Sequence, residues 1–592
     1  MTAEFDILIR DAKIVDGFNK SYVGSIGIIG DKIAAVDKEV VGDAANVVEA
    51  MGLVAMPGFV DSHSHADANL AWYPLCESAV MQGCTTVVAG QCGGSPAPLG
   101  EYVRPPGELS DELFERFPYL YHRPDPLFPL ETVNEFMEEK YGWTINWRTM
   151  AEYFDFIRGK GFSLNYAPLV GHGTIRYKVM GRDYKRQSTP EELGQMKALI
   201  REAIEDGCLG MSAGLDYDPD VFADRSEMDE CVAVLREYDG IYVPHWRRTG
   251  RRRDIKLGTG YAEPQEGILE VLETCRKTGV RMNIAHIAPG WHTIPPMTPP
   301  IGEAVGRATV EPIDEAIQEG LEVSFDCIPW ECWEPLPYLC SVHFTQWLRL
   351  LGSRERLAEL LSLEDFRSRA WEEIETGKLF QRVVINPCLN AAHWAENLKI
   401  TKHDNAEYED RTLAEVAEKL EIDPWNTLCD LIVEDPESRG SHKDYRGIEE
   451  QMIVFFRHPA CSIGLDVSVC DDKWERRNPP YSIPLPDTYS GYTKFLTRYV
   501  RDGGLLTMEE AVQKCATLPA RFHRLKGRGV LKVGSYADIV LLDWQGLRIV
   551  GKPEESRSYP EGVSYVFVNG TPVVENSKHT GATPGQILVR ES

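Results

Sequence analysis

The stretch GFVDSH (58–63) is a short apolar run that ends in a histidine, and runs of this kind recur along the chain. Eight of them can be read, and their last residues are His63, Cys92, Gly171, Gly214, His245, His286, Asp326 and Asp466. Most successive ends are separated by about 30 to 40 residues, which is the length of one strand with one helix. This spacing of the strand ends predicts an α/β fold, a (β/α)8 TIM-like barrel of eight parallel strands.

Helix-like stretches lie between these runs, as the barrel requires. Examples are TPEELGQMKALIREAIEDG (189–207) and EPQEGILEVLETCRKTG (263–279), which carry apolar residues at helical spacing and end in glycine. Two intervals are too long for one helix. We therefore expect insertions at about 100–145, forming a lid or an interface, and at 330–458, forming a cap.

The two ends of the chain carry short β-runs with turn signals such as Asn569-Gly570. Neither end supplies enough strands for an independently stable sheet. We therefore expect a small β-sandwich domain built from residues 1–54 and 520–592, with the barrel occupying residues 55–519.

Composition narrows the class of partner. The net charge is 63 − 91 = −28, which disfavours binding to nucleic acid or to anionic membrane surfaces.

The amino terminus lacks the apolar core of a signal peptide, and no run of apolar residues is long enough to span a bilayer. The 14 cysteines lack the spacing of a small metal-binding module. Free thiols in a cytoplasmic protein are the simplest interpretation.

Potential metal ligands follow several predicted strands, at the end of the barrel where active sites lie. These residues are His63, His65, Cys92, His245, His286 and Asp466. Imidazole, thiolate and carboxylate groups suit Zn²⁺ or a similar divalent ion. A lone histidine or cysteine after an apolar run is usually a packing residue, so the prediction of a metal site depends on the whole set. Asp466 has a second predicted role as the acid/base, because a carboxylate beside a metal-activated water can accept and return its proton.

The residues also resemble a known family. PGFVDSHSHAD (57–67) resembles the first-strand signature of the amidohydrolase superfamily, and TTVVAGQCGGSPAP (85–98) looks like the second strand of its D-aminoacylase (N-acyl-D-amino-acid deacylase) branch. The likeness continues through further segments over most of the chain outside the 100–145 insertion: VGHGTIR (170–176), GMSAGLDYDP (210–219), HWR (245–247), RHPACSIGLD (457–466) and RGVLKVGSYADIVLLD (528–543).

The resemblance implies a role for each ligand. It implies one tightly bound Zn²⁺ on Cys92, His245 and His286, and a weaker second site on His63 and His65. It also implies Asp466 as the acid/base and, as the reaction, hydrolysis of an N-acyl amino acid.

Three segments depart from the family pattern at places where the family is thought to bind the carboxylate of its substrate. Ala288 stands in place of a lysine, DCIPW (326–330) puts Ile328 and Trp330 in place of two tyrosines, and PDTYSG (486–491) replaces a segment with an arginine. Each change removes a cation or a hydrogen-bond donor. We expect a neutral or bulkier amide instead of a simple N-acyl-D-amino acid.

Further residues are candidates for contact with this small-molecule substrate: His172, Arg247, Ile328, Trp330 and Tyr489. The aromatic candidates have core packing as an equally plain interpretation. The cluster RRTGRRR (247–253) is either an anion site or a solvated surface.

Three functions stay open at this point. The first is a zinc-dependent hydrolase that cleaves the C–N bond of a linear N-acyl compound. The second is a hydrolase of cyclic amides such as lactams, imides or hydantoins, and the third is a non-catalytic barrel scaffold. Self-association into a homo-oligomer is a further expectation by analogy.

Overall fold

A computed structural model of the chain describes most of its residues. The described residues are 4–109, 113, 116, 127–216, 218–247, 263–288, 298–329, 338–341, 344, 347–348, 351, 353–375, 394–442, 448–474, 484–552 and 556–590. Within them, no helix combines the length and the apolar character needed to cross a membrane.

The central element is a sheet of eight parallel strands, which lie side by side in the order in which these eight occur along the chain. In chain order, these barrel strands are Phe59–Ser64, Cys84–Ala89, Asn165–Gly171, Gly210–Gly214, Ile241–His245, Arg281–Ile284, Val323–Cys327 and Cys461–Ile463. The first and eighth strands meet where a parallel bridge joins Ser64 to Val467. There the Asp466 N–H also donates to the His63 carbonyl at 2.8 Å. The predicted (β/α)8 barrel is confirmed.

Helices follow the strands where the sequence predicts them. The predicted helix at 189–207 begins at a capping box, because Thr189 and Glu192 each accept a hydrogen bond from the other's backbone N–H. The main helices are Leu130–Tyr141, Met150–Lys160, His172–Met180, Pro190–Glu205, Arg225–Leu235, Glu263–Thr278, Pro299–Gln318, Arg354–Leu361, Glu364–Glu375, Leu413–Leu420, Pro424–Glu434, Ile448–Arg457, Asp487–Lys494, Met508–Val512 and Leu518–Phe522.

Aliphatic side chains fill the barrel from the amino-terminal end of its strands. Alternate residues of a strand face the same side, so Ala167 and Leu169 enter one cluster together, as do Ile241 and Val243. The helix Leu518–Phe522 covers this end. We call the whole set the floor cluster: Val60, Val88, Ala167, Leu169, Leu209, Ile241, Val243, Ala285, Ala520, Phe522 and Leu525.

Strands from both ends of the chain form a second, nine-stranded sheet. The strand Val54–Pro57 joins the two ends by pairing with Ile539–Leu542, and a bridge between Lys32 and Tyr536 ties the far edge back to the same region. The other strands are Phe5–Ile14, Tyr22–Ile29, Lys32–Asp37, Ala44–Glu49, Val563–Val568, Thr571–Glu575 and Lys578–His579. This arrangement is what a small sandwich from both ends requires, and the exact domain boundaries stay a prediction.

The two insertions differ in how they pack. In the first, Tyr102–Val103 pairs with Phe128–Pro129, and the helix Leu130–Tyr141 contributes to the main core. The second has a hydrophobic cluster of its own, which includes Leu339, Phe344 and Leu428. Their roles as lid and cap stay predictions.

Candidate metal centre

Six side chains meet at the carboxyl ends of the barrel strands. We call them the mouth cluster: His63, His65, Cys92, His245, His286 and Asp466. Cys92 Sγ lies 3.3 Å from His63 Nε2 and 3.5 Å from both His245 Nδ1 and His286 Nε2. Asp466 Oδ1 lies 2.9 Å from His65 Nε2 and 3.4 Å from His63 Nε2. The structure thus brings all six predicted ligands together.

Three members of the mouth cluster combine a position beyond the last residue of their strand with a left-handed backbone. Cys92, His286 and Asp466 have φ angles of 55°, 32° and 54°, in the left-handed region that residues with a side chain seldom adopt. In this conformation the backbone bends at the barrel rim. Strain of this kind persists where the surrounding structure imposes it, and it is concentrated at functional sites.

The sulfur-to-nitrogen distances at Cys92 fit a tetrahedral metal ion, whereas His245 Nδ1 and His286 Nε2 lie 2.8 Å apart, closer than two nitrogen ligands of one such ion. Metal–sulfur bonds of about 2.3 Å and metal–nitrogen bonds of about 2.0–2.1 Å place sulfur and nitrogen ligands about 3.5 Å apart. The three distances from Cys92 Sγ to imidazole nitrogens, 3.3 to 3.5 Å, match this value. Ligand atoms of His63, Cys92, His286 and Asp466 also lie within 4.8 Å of one another.

The ionisation of Cys92 suits metal binding. Burial alone would raise the pKa of its thiol, but the charges of His63 and His245 and hydrogen bonds from His245 and His286 bring that pKa well below its ordinary value. The thiolate is the form of cysteine that binds a metal ion. These contacts therefore favour the thiolate form of Cys92 where the imidazoles converge.

Asp466 is also held in its anionic form. Burial would raise the pKa of this carboxyl, but the charges of His286 and His63 and hydrogen bonds from His63 and His65 lower it well below the usual range. Its side chain is 27% exposed and that of His65 is 31% exposed, whereas His63 is fully enclosed. A molecule in the mouth can therefore reach Asp466.

Asp326, near the end of the seventh strand, holds the backbone of His286 through a hydrogen bond. Its Oδ1 accepts a hydrogen bond from the His286 N–H at 2.8 Å. Its Oδ2 accepts one from Asn283 Nδ2 at 2.6 Å. Burial raises the pKa of Asp326 to about 6. In the sequence, Asp326 is assigned only as the end of a predicted strand. The signal that could have identified it is that, like His245 and His286, it is a polar residue at the carboxyl end of a predicted barrel strand.

The candidate substrate residues are distributed around the barrel. His172 is buried, with Nδ1 2.9 Å from Asp220 Oδ1. Arg247 donates to the carbonyls of Leu215 and Ala223 at 2.6 and 3.2 Å and to Glu270 at 3.2 Å.

Of the remaining candidates, Tyr489 and Ile328 can be located, whereas the others lie outside the described residues. The Tyr489 hydroxyl donates to the Asp471 carbonyl at 2.6 Å. Ile328 is half-buried just beyond the seventh strand, whereas Trp330 and residues 248–253 of the arginine cluster lie outside the described residues. The part that these residues and His172 and Arg247 play in binding substrate stays a prediction.

Comparison with known proteins identifies relatives over the whole chain. A sequence model of the amidohydrolase family matches residues 46–238 and 482–574. The D-aminoacylase of Alcaligenes xylosoxydans xylosoxydans is 27% identical over 99% of this chain and 98% of its own length. The N-acyl-D-glutamate deacylase of the same organism is 26% identical over 100% of this chain and 98% of its own length.

A solved structure shares the fold. The N-acyl-D-glutamate deacylase of Bordetella bronchiseptica, crystallised with zinc and a phosphonate inhibitor, superimposes with a TM-score of 0.65 and 24% identity. The match covers 99% of this chain and 100% of that one.

Proposed function

Because this chain belongs to the D-aminoacylase branch of the amidohydrolase superfamily, we propose that it is a metal-dependent hydrolase of the C–N bond of an N-acyl compound. The observation that carries the proposal is the geometry around Cys92. Its thiolate sulfur lies at metal-compatible distances from three imidazole nitrogens, with the accessible carboxylate of Asp466 beside them.

In the proposed site, Cys92, His245 and His286 hold one tightly bound Zn²⁺, and His63 and His65 provide a weaker second position. The bound ion supplies Lewis acidity, which lowers the pKa of water and polarises the substrate carbonyl. Three ligands with an open fourth position are the pattern of a catalytic zinc site.

Asp466 is the proposed acid/base. Its ionised carboxylate accepts a proton from water as the water oxygen attacks the amide carbon. The C–N bond then breaks, and Asp466 Oδ1 or Oδ2 donates the proton to the departing nitrogen. His65, 2.9 Å from Oδ1, orients the carboxylate for both transfers.

The proposed substrate is a neutral or bulkier amide instead of a simple N-acyl-D-amino acid. Ala288, where a cationic residue is expected, is 8% exposed and has no side-chain donor. Ile328 likewise cannot bind a carboxylate through its side chain. Linear N-acyl compounds lead this proposal, and cyclic amides are the second candidate because they also present a neutral carbonyl to the metal.

Elemental analysis is the first test. We expect near-stoichiometric zinc in the wild type and its loss in Cys92→Ala and His286→Ala. Cys275→Ala is the matched control, because Cys275 is a buried thiol that donates to the Val280 carbonyl in the helix layer. Wild-type protein that takes up no metal even after resupply would leave the scaffold function in its place.

A substrate panel is the second test. It compares N-acetylated amines, N-acyl-D-amino acids and cyclic imides on zinc-loaded enzyme. We expect the N-acetylated amines, which are linear and carry no carboxylate, to be hydrolysed fastest. Preference for N-acyl-D-amino acids would contradict the proposed substrate class, and preference for the imides would favour the second candidate.

A further inference from the structure

Cys92 is held in a turn whose backbone is unusual at three of its four residues. We call residues 90–93 the Cys92 turn. The φ angles of Gly90, Cys92 and Gly93 are 91°, 55° and 74°. For Cys92 such a φ angle is unfavourable unless neighbouring groups impose it. The position of the sulfur therefore depends on contacts that come from outside the turn.

The hydroxyl of Ser212, on the fourth barrel strand, provides such a contact. Ser212 Oγ accepts a hydrogen bond from the Gly93 N–H at 3.0 Å. The same hydroxyl donates to the Gly90 carbonyl at 2.5 Å. One fully buried side chain thus spans the turn from its first residue to its last, with Cys92 between the two contacts.

Asp220 packs against the same turn at Gly93. Its Oδ2 accepts a hydrogen bond from the Gly214 N–H at 2.7 Å, and its Oδ1 lies 2.9 Å from His172 Nδ1. A Cβ atom on Gly93 would lie 2.4 Å from Asp220 Oδ2 and 2.7 Å from the Gly214 nitrogen. The turn is therefore packed too tightly for any side chain at position 93.

The carbonyl of Gly93 is held as well, since it accepts a hydrogen bond from the Thr174 N–H at 3.0 Å. Thr174 Oγ1 in turn accepts one from the Ser95 N–H at 2.9 Å. These contacts attach the end of the turn to the third-strand helix. None of them reaches the Gly90 carbonyl, so Ser212 alone among these groups bridges both ends of the turn.

We propose that Ser212 is a positioning residue of the metal site, which fixes the Cys92 turn and thereby keeps the sulfur in reach of the imidazoles. This inference rests on the proposed function in that Cys92 is a metal ligand. Without the hydroxyl, the buried Gly90 carbonyl and Gly93 N–H lose their shared partner. The turn then relaxes toward ordinary φ angles and moves Cys92 Sγ away from His63, His245 and His286.

The test measures metal affinity and not turnover. We expect Ser212→Ala to weaken zinc binding by about 10–100-fold in competition with a chelator, the effect of losing a group that orients a ligand. In the Co²⁺-loaded protein, the thiolate-to-cobalt absorption band should weaken or shift. Ser212→Thr, which keeps a hydroxyl, should recover part of both signals.

Ser462→Ala is the matched control. Ser462 is a similarly buried hydroxyl of the barrel, and its Oγ lies 3.1 Å from Ser62 Oγ and 3.3 Å from the Phe325 carbonyl oxygen, either of which can accept its one proton. It should retain wild-type zinc affinity and the cobalt band. If Ser212→Ala does not fold, Ser212→Thr and Ser212→Val make the same comparison, because their side chains have the same shape and only threonine has a hydroxyl.

The outcomes separate this inference from the proposed function. Wild-type zinc affinity and an unchanged cobalt band in Ser212→Ala, or equal affinities in the threonine and valine variants, would overturn the role of Ser212. A wild type that binds no metal would overturn the proposed function itself. An equal loss of affinity in Ser462→Ala would reduce the effect to general destabilisation and also overturn the inference.

Discussion

The two ends of the barrel interior belong to one eight-stranded sheet and are opposite in character. The floor cluster is apolar, and just over half of its residues lie on regular strand positions. The mouth cluster is ionisable, and half of its members stand in left-handed turns beyond the strands. Regular alternation is sufficient to bury apolar groups, whereas bringing six polar groups to one point requires the backbone to leave strand geometry.

The residues that stabilise the barrel and the residues proposed for its chemistry are thus separated along the barrel axis. Each buried valine, leucine or isoleucine side chain of the floor contributes about 1.5–3 kcal/mol relative to exposure. The mouth contains strained turns and buried charges, which are costly without their partners. Substitutions at the two ends should therefore change different measured quantities.

The largest expected effect is at the mouth. Asp466→Asn should lower kcat by about 10²–10⁴-fold, because the amide can neither accept nor return the proton. The melting temperature and zinc content should stay close to wild type, since the ligands Cys92, His245 and His286 remain. Steady-state kinetics and elemental analysis on the same preparation make this measurement. Full activity in the variant would remove Asp466 from the mechanism.

A substitution at the floor should give the opposite pattern. Ile241 is the first residue of the fifth strand and is fully buried in the floor cluster. Ile241→Ala should cost about 2–5 kcal/mol of stability through the lost contacts and the cavity, seen as a lower melting temperature in calorimetry. Zinc affinity and kcat/KM should stay near wild type below that temperature. A matching loss of zinc affinity would show that the two ends are coupled.

The smallest expected effect is a pH dependence that originates at the floor. His523 follows the helix Leu518–Phe522 and is 1% exposed. Burial first, and then the charges of Arg281 and His63, lower the pKa of His523 to about 3 from an ordinary 6.5. Between these two values the unfolded chain binds a proton that the folded chain does not bind. Stability is therefore full above pH 6.5 and falls as the pH drops toward 3.

From pH 8 to pH 5 this one residue should remove about 2 kcal/mol of stability. His523→Phe removes the titration, so its urea midpoint should fall less over that range than the wild-type midpoint. Groups that titrate at the mouth are common to both proteins, so all but the contribution from the His63–His523 interaction cancels in the difference. Parallel pH profiles would show that His523 is not buried in its neutral form.

The sequence predicts the barrel and the residues of the mouth cluster well for a physical reason. Strand periodicity and the spacing of strand ends are local properties, and all parallel strands carry their carboxyl ends to one side. Predicted ligands such as Cys92 and His286 could therefore be placed at a common site even though they lie two or three residues beyond the last strand residue.

The supporting contacts could not be predicted in the same way. Ser212 acts on a turn about 120 residues earlier in the chain, and Asp326 supports a histidine on a different strand. Nothing in their own neighbourhoods reveals these partners, since the contacts depend on register and on strand curvature. The candidate His172 shows the same limit, because its sequence context does not reveal its contact with Asp220.

The closure of the barrel between its first and eighth strands has a consequence for biosynthesis. The Asp466 N–H reaches the His63 carbonyl only after some 400 residues of intervening chain have been made. The terminal sheet is more extreme, because the strand Val54–Pro57 waits for Ile539–Leu542. A nascent chain thus exposes unpaired strand edges through nearly all of translation, and contacts this distant in sequence form slowly. We therefore expect the yield of folded protein to fall under conditions that promote aggregation before the last strands emerge.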